Sequence, residues 1–201
     1  MALPTREHIL SAAARLYAEH GFRGTTTRAI AESAGVNEVT LFRLFGSKET
    51  LIIEAMRVHG VPVHVGTLPE VPLDPAKELT SWATQTSTVL LSMRSMIVQA
   101  MSDAEHHPEM PKCVARGADA AFDAIHSYLD RVREHGFIPT DAETHNAGGM
   151  LISSLFHDAM SREVMPQFFP PIADAPATYA RLCLRALQYD PSKSAAQRRA
   201  S

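Results

Sequence analysis

The sequence predicts an all-α protein in which a small N-terminal domain precedes a larger helical domain. Apolar residues recur every three or four positions through most of the chain, and no stretch shows the alternation expected of a strand. Clusters of glycine and proline divide the periodic segments into separate helices. We expect a small helical domain at residues 1–48, a larger helical domain at 49–190, and a disordered tail at 191–201, where Ser, Ala and Arg predominate.

Composition narrows the class of protein. Of the 201 residues, 45% are hydrophobic and 20% charged, which is typical of a globular protein. No apolar run reaches the length of a membrane span, and the N-terminus has no apolar core typical of a signal peptide. Cys113 and Cys183 lie far apart and form no CxxC motif. These features predict a cytoplasmic protein with no membrane partner.

The first helix is predicted over residues 5–20. Thr5, which follows a proline, is the expected N-cap, and Gly21 is the expected end. Between them an apolar stripe at helical spacing predicts one buried face, and this stripe consists of Ile9, Ala13, Leu16 and Tyr17.

Residues 25–48 predict two short helices joined by a tight turn. Thr26 is a suitable cap for the first helix, Gly35 lies where that helix should stop, and Asn37 is a suitable cap for the second. The second helix should bury Leu41, Leu44 and Phe45 on one face. Its outward face then carries Val39, Phe42 and Arg43, a mixture that suits contact with DNA bases and phosphates.

The remaining helices follow from caps and breaks. Ser47 should cap a fourth helix that runs to about Val58, and the proline-rich stretch 60–75 predicts a linker. Further helical patterns begin at Ala76, with a predicted break near residues 92–95, and then cover about 118–136, 141–165 and 174–189.

Charge is distributed unevenly along the chain. The net charge is −3, but residues 1–48 carry +2 and the remainder carries −5. A mildly basic N-terminal domain on an acidic body suits a protein that makes few phosphate contacts.

Residues 9–56 resemble the N-terminal domain of the tetracycline-repressor (TetR) family of transcriptional regulators. The resemblance is carried, in order, by ILSAAARLYAEHGF, GTTTRAIAESAGV and TLFRLFGSKETL. It implies a homodimer on a near-palindromic operator, with the third helix of each subunit in the major groove. It also implies release from DNA when a small, largely apolar molecule binds the C-terminal domain, although a DNA-binding regulator without such an effector is an alternative.

The resemblance assigns expected DNA contacts position by position. Phe42 stands where the family often has tyrosine, Val39 where glycine is frequent, and Glu38 where small or basic residues are common, which leaves the operator sequence open. The expected contact residues are Thr26, Thr27, Arg28, Asn37, Glu38, Val39, Thr40, Phe42, Arg43 and Lys48.

The second domain supplies candidate ligand and dimer contacts. Apolar and polar residues that share its helical stripes could line a pocket or form the core, and the candidates are Trp82, Gln85, Thr86, Val89, Met93, Phe122, His126, Met150, Ser153 and His157. The last two helices are the usual dimer interface of the family. The candidates there are Gly148, Leu151, Leu155, Ala159, Tyr179, Leu182, Cys183 and Ala186, which could instead pack within one subunit.

Enzymatic function is the competing class. His126 or His157 could serve a helical enzyme, but no GxSxG, P-loop, GxGxxG or HExxH motif accompanies them. His106, His107 and Cys113 fit no standard zinc spacing. We therefore expect no catalytic residue, no metal site and no cofactor.

Overall fold

The structure, a computed structural model, describes residues 6–60 and 66–193. Over these ranges it contains helices and no strand, which confirms the all-α prediction. The predicted cap Thr5, part of the predicted linker and residues 194–201 of the predicted tail lie outside the described residues. The helices are α1 Arg6–Gly24, α2 Thr27–Ala34, α3 Glu38–Phe45, α4 Lys48–His59, α5 Pro75–Ser92, α6 Arg94–Ser102, α7 Glu109–Glu134, α8 Thr144–Ser161 and α9 Ala175–Ala186, with a short 3-10 helix at Pro166–Phe168.

The chain forms two compact units. The first unit comprises residues 1–62 and 92–116, and the second comprises residues 63–91 and 117–201. The first unit therefore adds α4, α6 and the start of α7 to the segment expected at 1–48.

The first unit is built around α1. Its predicted stripe is buried, and α1 packs against α2, α4 and α6. Regular helical geometry breaks at Gly21, where φ is 66° and ψ is −176°, close to the predicted end of the helix. Prediction of burial was wrong for Leu44, which is 40% exposed. In an eight-residue helix Leu41 and Phe45 occupy the centre of the buried face, and Leu44 lies to one side of it.

The second unit has its own core. Its largest buried side chains are Trp82, Tyr128 and Phe137. The hydroxyl of Tyr128 donates to Glu78 Oε2 over 2.7 Å, and Glu78 Oε1 accepts from the backbone of Leu73 and Asp74 at the start of α5. One carboxylate thus joins α7 to the start of α5.

A polar network fixes the connection between α8 and α9. The guanidinium of Arg162 donates to both oxygens of Asp158, over 2.6 and 2.7 Å, and also to the carbonyl of Pro170 over 2.7 Å. Tyr179 of α9 donates to the same carboxylate over 2.9 Å. Asp158 is 7% exposed, so this nearly buried charge is both paired and hydrogen-bonded, as burial requires.

None of the helices described is long and apolar enough to cross a membrane.

Candidate nucleic-acid interface

Local hydrogen bonds fix the α2–α3 pair. Thr26 Oγ1 accepts from the amide of Ala29 over 3.1 Å, and Asn37 Oδ1 accepts from the amide of Val39 over 2.9 Å. Between the helices Gly35 adopts the left-handed conformation, with φ of 67°, which favours glycine. The amide of Val36 donates to Ala31 O over 3.0 Å, completing a helix-ending turn. All three predicted signals, the two caps and the turn glycine, are confirmed.

The outward face of α3 is exposed as expected. Val39 is 72% exposed and Phe42 is 49% exposed, and Arg43 is also exposed. The guanidinium of Arg43 has no hydrogen bond or ion pair with any residue in the described part of the chain. An exposed valine, an exposed aromatic ring and an uncompensated guanidinium thus share one face of a short, firmly capped helix.

Two of the expected DNA contacts at the start of α2 pair with carboxylates. Thr27 Oγ1 donates to Glu38 Oε1, which links the first residues of α2 and α3. Arg28 Nε donates to Glu32 Oε1 over 2.9 Å, and both side chains remain well exposed. The hydrogen bond and charge of Glu32 raise the pKa of Arg28. The guanidinium of Arg28 therefore already has a carboxylate partner within α2.

Lys48 has an internal role in this structure. Its Nζ donates to the carbonyls of Phe22 over 2.8 Å and of Thr25 over 3.1 Å, and lies 4.2 Å from the centroid of the Phe22 ring. Partial burial lowers the pKa of Lys48, and the charge of Asp103 opposes that effect. Asp103 Oδ2 in turn accepts from the amide of Phe22 over 3.0 Å. The side chains of Lys48 and Asp103 thus hold the α1–α2 connection in place.

Asp103 is a contributor that sequence reasoning missed. It follows α6, and its partner Phe22 lies 81 residues earlier in the chain. No local pattern marks a carboxylate for such a distant backbone amide, so no signal in the sequence could have found it.

The structure divides the expected ligand contacts among different surroundings. Trp82 and Thr86 are buried on α5, and neither Trp82 Nε1 nor Thr86 Oγ1 has a hydrogen-bond partner. Gln85 and Trp82 flank Gly66, where an added Cβ would lie 3.0 Å from Gln85 Oε1 and 3.3 Å from Trp82 Cδ1. Val89 is half-buried, and Met150, which is 67% exposed, faces outward, as does Ser153. Met93 belongs to the first unit, whereas the other candidates belong to the second.

The histidine candidates contact aromatic rings and backbone. His126 packs on Phe122 and on His145, with ring centroids 5.7 and 4.2 Å apart, and its Nε2 lies 3.1 Å from the His145 carbonyl. His157 packs on Phe169, with centroids 5.4 Å apart, and its Nδ1 lies 3.5 Å from Ser161 Oγ. Within residues 6–60 and 66–193, no three His, Cys, Asp or Glu side chains are placed to hold a metal ion.

The expected dimer residues separate into buried and exposed sets. Those buried within the subunit are Gly148, Leu151, Leu155, Ala159 and Cys183. Gly148 allows close packing inside the chain, because an added Cβ would lie 2.9 Å from His126 Cδ2. Tyr179 is half-buried, and Leu182 and Ala186 are exposed. Leu182 and Ala186, together with Met150, line a cleft of about 110 Å³ between α8 and α9.

Capped α2 and α3, a glycine turn and an exposed α3 face define a helix-turn-helix unit. Residues 9–55 match the family model described as bacterial regulatory proteins of the tetR family. The N-terminal segment of the chain is therefore similar to the DNA-binding domain of tetR-family regulators.

Curated relatives match through the N-terminal segment. The chain is 45% identical over 56 residues to YvkB of Bacillus subtilis, an uncharacterized HTH-type transcriptional regulator. The aligned segment covers 28% of this chain and 30% of that protein. It is 44% identical over 52 residues to the HTH-type transcriptional repressor KstR2 of Rhodococcus jostii. That aligned segment covers 26% of each of the two chains. The matched segments span less than a third of the length of these relatives.

Solved structures match over nearly the whole chain. GusR of Salmonella enterica has a TM-score of 0.67 at 20% identity, covering 92% of this chain and 96% of that chain. The fatty acid degradation regulator FadR of Bacillus halodurans has a TM-score of 0.67 at 19% identity, covering 94% of this chain and all of FadR. At this identity the likeness concerns the fold.

Proposed function

We propose that this protein is a cytoplasmic, homodimeric transcriptional repressor that binds a near-palindromic operator through α3. The exposed face of α3 carries the proposal. Val39 suits a thymine methyl, and Arg43 suits a guanine edge or a phosphate, because its guanidinium has no partner among the described residues. A two-fold protein matches a two-fold DNA site by symmetry.

Lys48 and Thr26 support DNA binding indirectly. The side chain of Thr26 already accepts a backbone hydrogen bond, and Lys48 already donates two. Their contribution is to hold α2 and the α1–α2 connection in the geometry that presents α3.

The exposed part of the α8–α9 surface supports homodimerisation. Met150 and Leu182 are 67% and 52% exposed, and they border the same cleft. Exposed apolar side chains that cluster on one surface are typical of a protein interface. The buried members of the expected set stabilise this surface from within the subunit.

Two unpartnered polar atoms support a small-molecule effector. Buried hydroxyl and indole N–H groups normally have hydrogen-bond partners, so Trp82 Nε1 and Thr86 Oγ1, one helical turn apart, mark a place for a ligand acceptor. The surrounding residues are mainly apolar, which suits a largely apolar ligand with few polar groups. A ligand that favours the conformation with low DNA affinity would release the operator, and DNA would weaken ligand binding by the same factor.

A binding assay tests the DNA-binding function. Fluorescence anisotropy with DNA flanking the protein's own gene should show binding that Arg43→Ala weakens by at least about tenfold, since a bidentate base contact contributes roughly 1–3 kcal/mol. Arg116→Ala, which removes an exposed arginine elsewhere in the first unit, should preserve binding. Failure to bind any genomic fragment at low salt would refute the proposal.

A thermal-shift screen with apolar and aromatic compounds tests the effector. A ligand should raise the unfolding midpoint of the wild-type protein by mass action and should act more weakly on Thr86→Val. DNA binding without any such ligand would support the alternative, a regulator that has no small-molecule effector.

A further inference from the structure

A groove on the second unit lies between the start of α5 and one face of α9. It encloses about 430 Å³ and is lined by Ala76, Thr80, Ala177, Leu184 and Tyr189, with Arg181 and Arg185 on the same face of α9. This volume is within the range of small-molecule sites, roughly 300–1,000 Å³. The base of the groove is apolar, because Leu184 is buried.

The groove is separate from the proposed effector position and from the proposed dimer surface. At about 100° per residue, Ala76 and Thr80 lie on a different face of α5 from Trp82 and Thr86. The same spacing puts Arg181 and Arg185 of α9 about 100° around the helix from Leu182 and Ala186. The groove and the other two proposed sites therefore have different lining residues.

The charge of the groove is positive. The side chain of Arg185 has no hydrogen bond or ion pair with the part of the chain that the structure describes, and the side chain of Arg181 has only a long contact, 3.4 Å from Nη2 to Thr178 Oγ1. The nearby carboxylate of Asp190 accepts from the amide and hydroxyl of Ser192, over 2.9 and 2.7 Å. Two exposed guanidiniums one turn apart therefore face solvent without an acidic partner.

We propose that this groove is a second small-molecule site, which binds an organic anion with an apolar body, of the aryl or acyl carboxylate class. The carboxylate accepts hydrogen bonds from Arg181 and Arg185, a pairing that guanidinium geometry favours. The apolar body lies along Leu184, Ala177 and the ring of Tyr189. The neutral amide of the same molecule lacks the charge and binds more weakly.

Isothermal titration of the full-length protein with 4-phenylbutanoate tests this site. Replacing both arginines, Arg181→Gln with Arg185→Gln, should weaken binding by about tenfold or more, and 4-phenylbutanamide should bind the wild-type protein about tenfold more weakly than the acid. Arg116→Gln, an exposed arginine outside the groove, and Thr86→Val, at the proposed effector position, should retain the wild-type affinity. Absence of binding, or equal affinity in the double variant, would overturn the proposal.

A second measurement needs no variant. In the wild-type protein labelled with ¹⁵N at the arginine side chains, 4-phenylbutanoate should shift the Nε resonances of Arg181 and Arg185 and leave that of Arg116 in place. Shifts confined to other arginines would refute the site. DNA binding has its own assay, so the two proposals stand or fall separately.

Discussion

Replacing Glu32 by Gln should make DNA binding tighter and more sensitive to salt. In the free protein the carboxylate of Glu32 lies 2.9 Å from Arg28 Nε. The Arg28 and Glu32 side chains are 81% and 67% exposed, so the pair contributes little to folding, and its loss should not disturb α2. Without the carboxylate, the guanidinium at the start of α2 is free to bind a DNA phosphate.

The size of the effect follows from counterion release. Each additional phosphate contact steepens the slope of log affinity against log salt by about 0.9. Between about 50 and 200 mM salt, a fourfold change, one added contact per subunit costs the variant an extra factor of about 3.5, and two contacts per dimer cost about 12. The affinity of the Glu32→Gln variant should therefore exceed that of the wild type most clearly at low salt.

Fluorescence anisotropy titrations at several salt concentrations measure this slope. Glu109→Gln is a matched control, because Glu109 is an exposed carboxylate of the same unit that pairs with Lys112 over 2.9 Å. The decisive comparison is made in an Arg28→Gln background, where Glu32→Gln should leave the slope unchanged. If Glu32→Gln steepens the slope equally in both backgrounds, the pairing of Arg28 is not what limits phosphate contact.

Three further predictions concern self-association, stability and pH. Met150→Glu should weaken self-association by about tenfold or more in sedimentation equilibrium, because it would bury a charge at the subunit contact. The control Val164→Glu, at a 76% exposed position, should leave self-association unchanged. Equal effects of the two substitutions would refute the proposed dimer surface. Thr86→Val should raise the free energy of unfolding by about 1 kcal/mol without ligand, since it removes a buried hydroxyl that has no partner. A comparable decrease in that free energy, measured by urea denaturation, would contradict this prediction. Burial raises the pKa of Cys183 to about 12, so the unfolded chain loses this proton first as pH rises above about 8.5 and the folded state loses stability. Urea denaturation between pH 8.5 and 9.5 should show that loss of stability. The Cys183→Ala variant should lose less stability, keeping only the part that comes from Cys113, whose pKa burial also raises. A wild-type stability that does not change over this pH range would exclude the effect.

The sequence predicted well the features that local contacts determine. Thr26 and Asn37 accept hydrogen bonds from amides three and two residues further on, and Gly35 adopts a conformation that its own residue type permits. Each of these structures is contained within a few residues. The propensities of the neighbouring residues therefore suffice to predict them.

Features that depend on distant partners were less accessible to prediction. Lys48 binds carbonyls 26 and 23 residues earlier, and Asp103 binds an amide 81 residues earlier. Periodicity likewise shows that Leu151 and Cys183 face an apolar environment, but it does not show whether the same chain or a second subunit provides it. In the structure the chain itself buries both.

The internal pairing of the cations changes what DNA binding must rely on. Of the basic residues expected at DNA, Arg28 is paired with Glu32 and Lys48 is bound to backbone, so Arg43 is the one that faces solvent without a partner within the described chain. With so little unpaired positive charge at these positions, we expect phosphate contacts to contribute little to the affinity for DNA. Phosphate contacts also carry no direct information on base sequence. In the proposed complex, specificity would rest on Arg43 together with Val39 and Phe42, whose apolar contacts would favour thymine methyl groups over cytosine. Because each α3 offers so few contacts, we expect useful affinity to require two copies of α3 held at a fixed spacing, as the proposed homodimer would hold them.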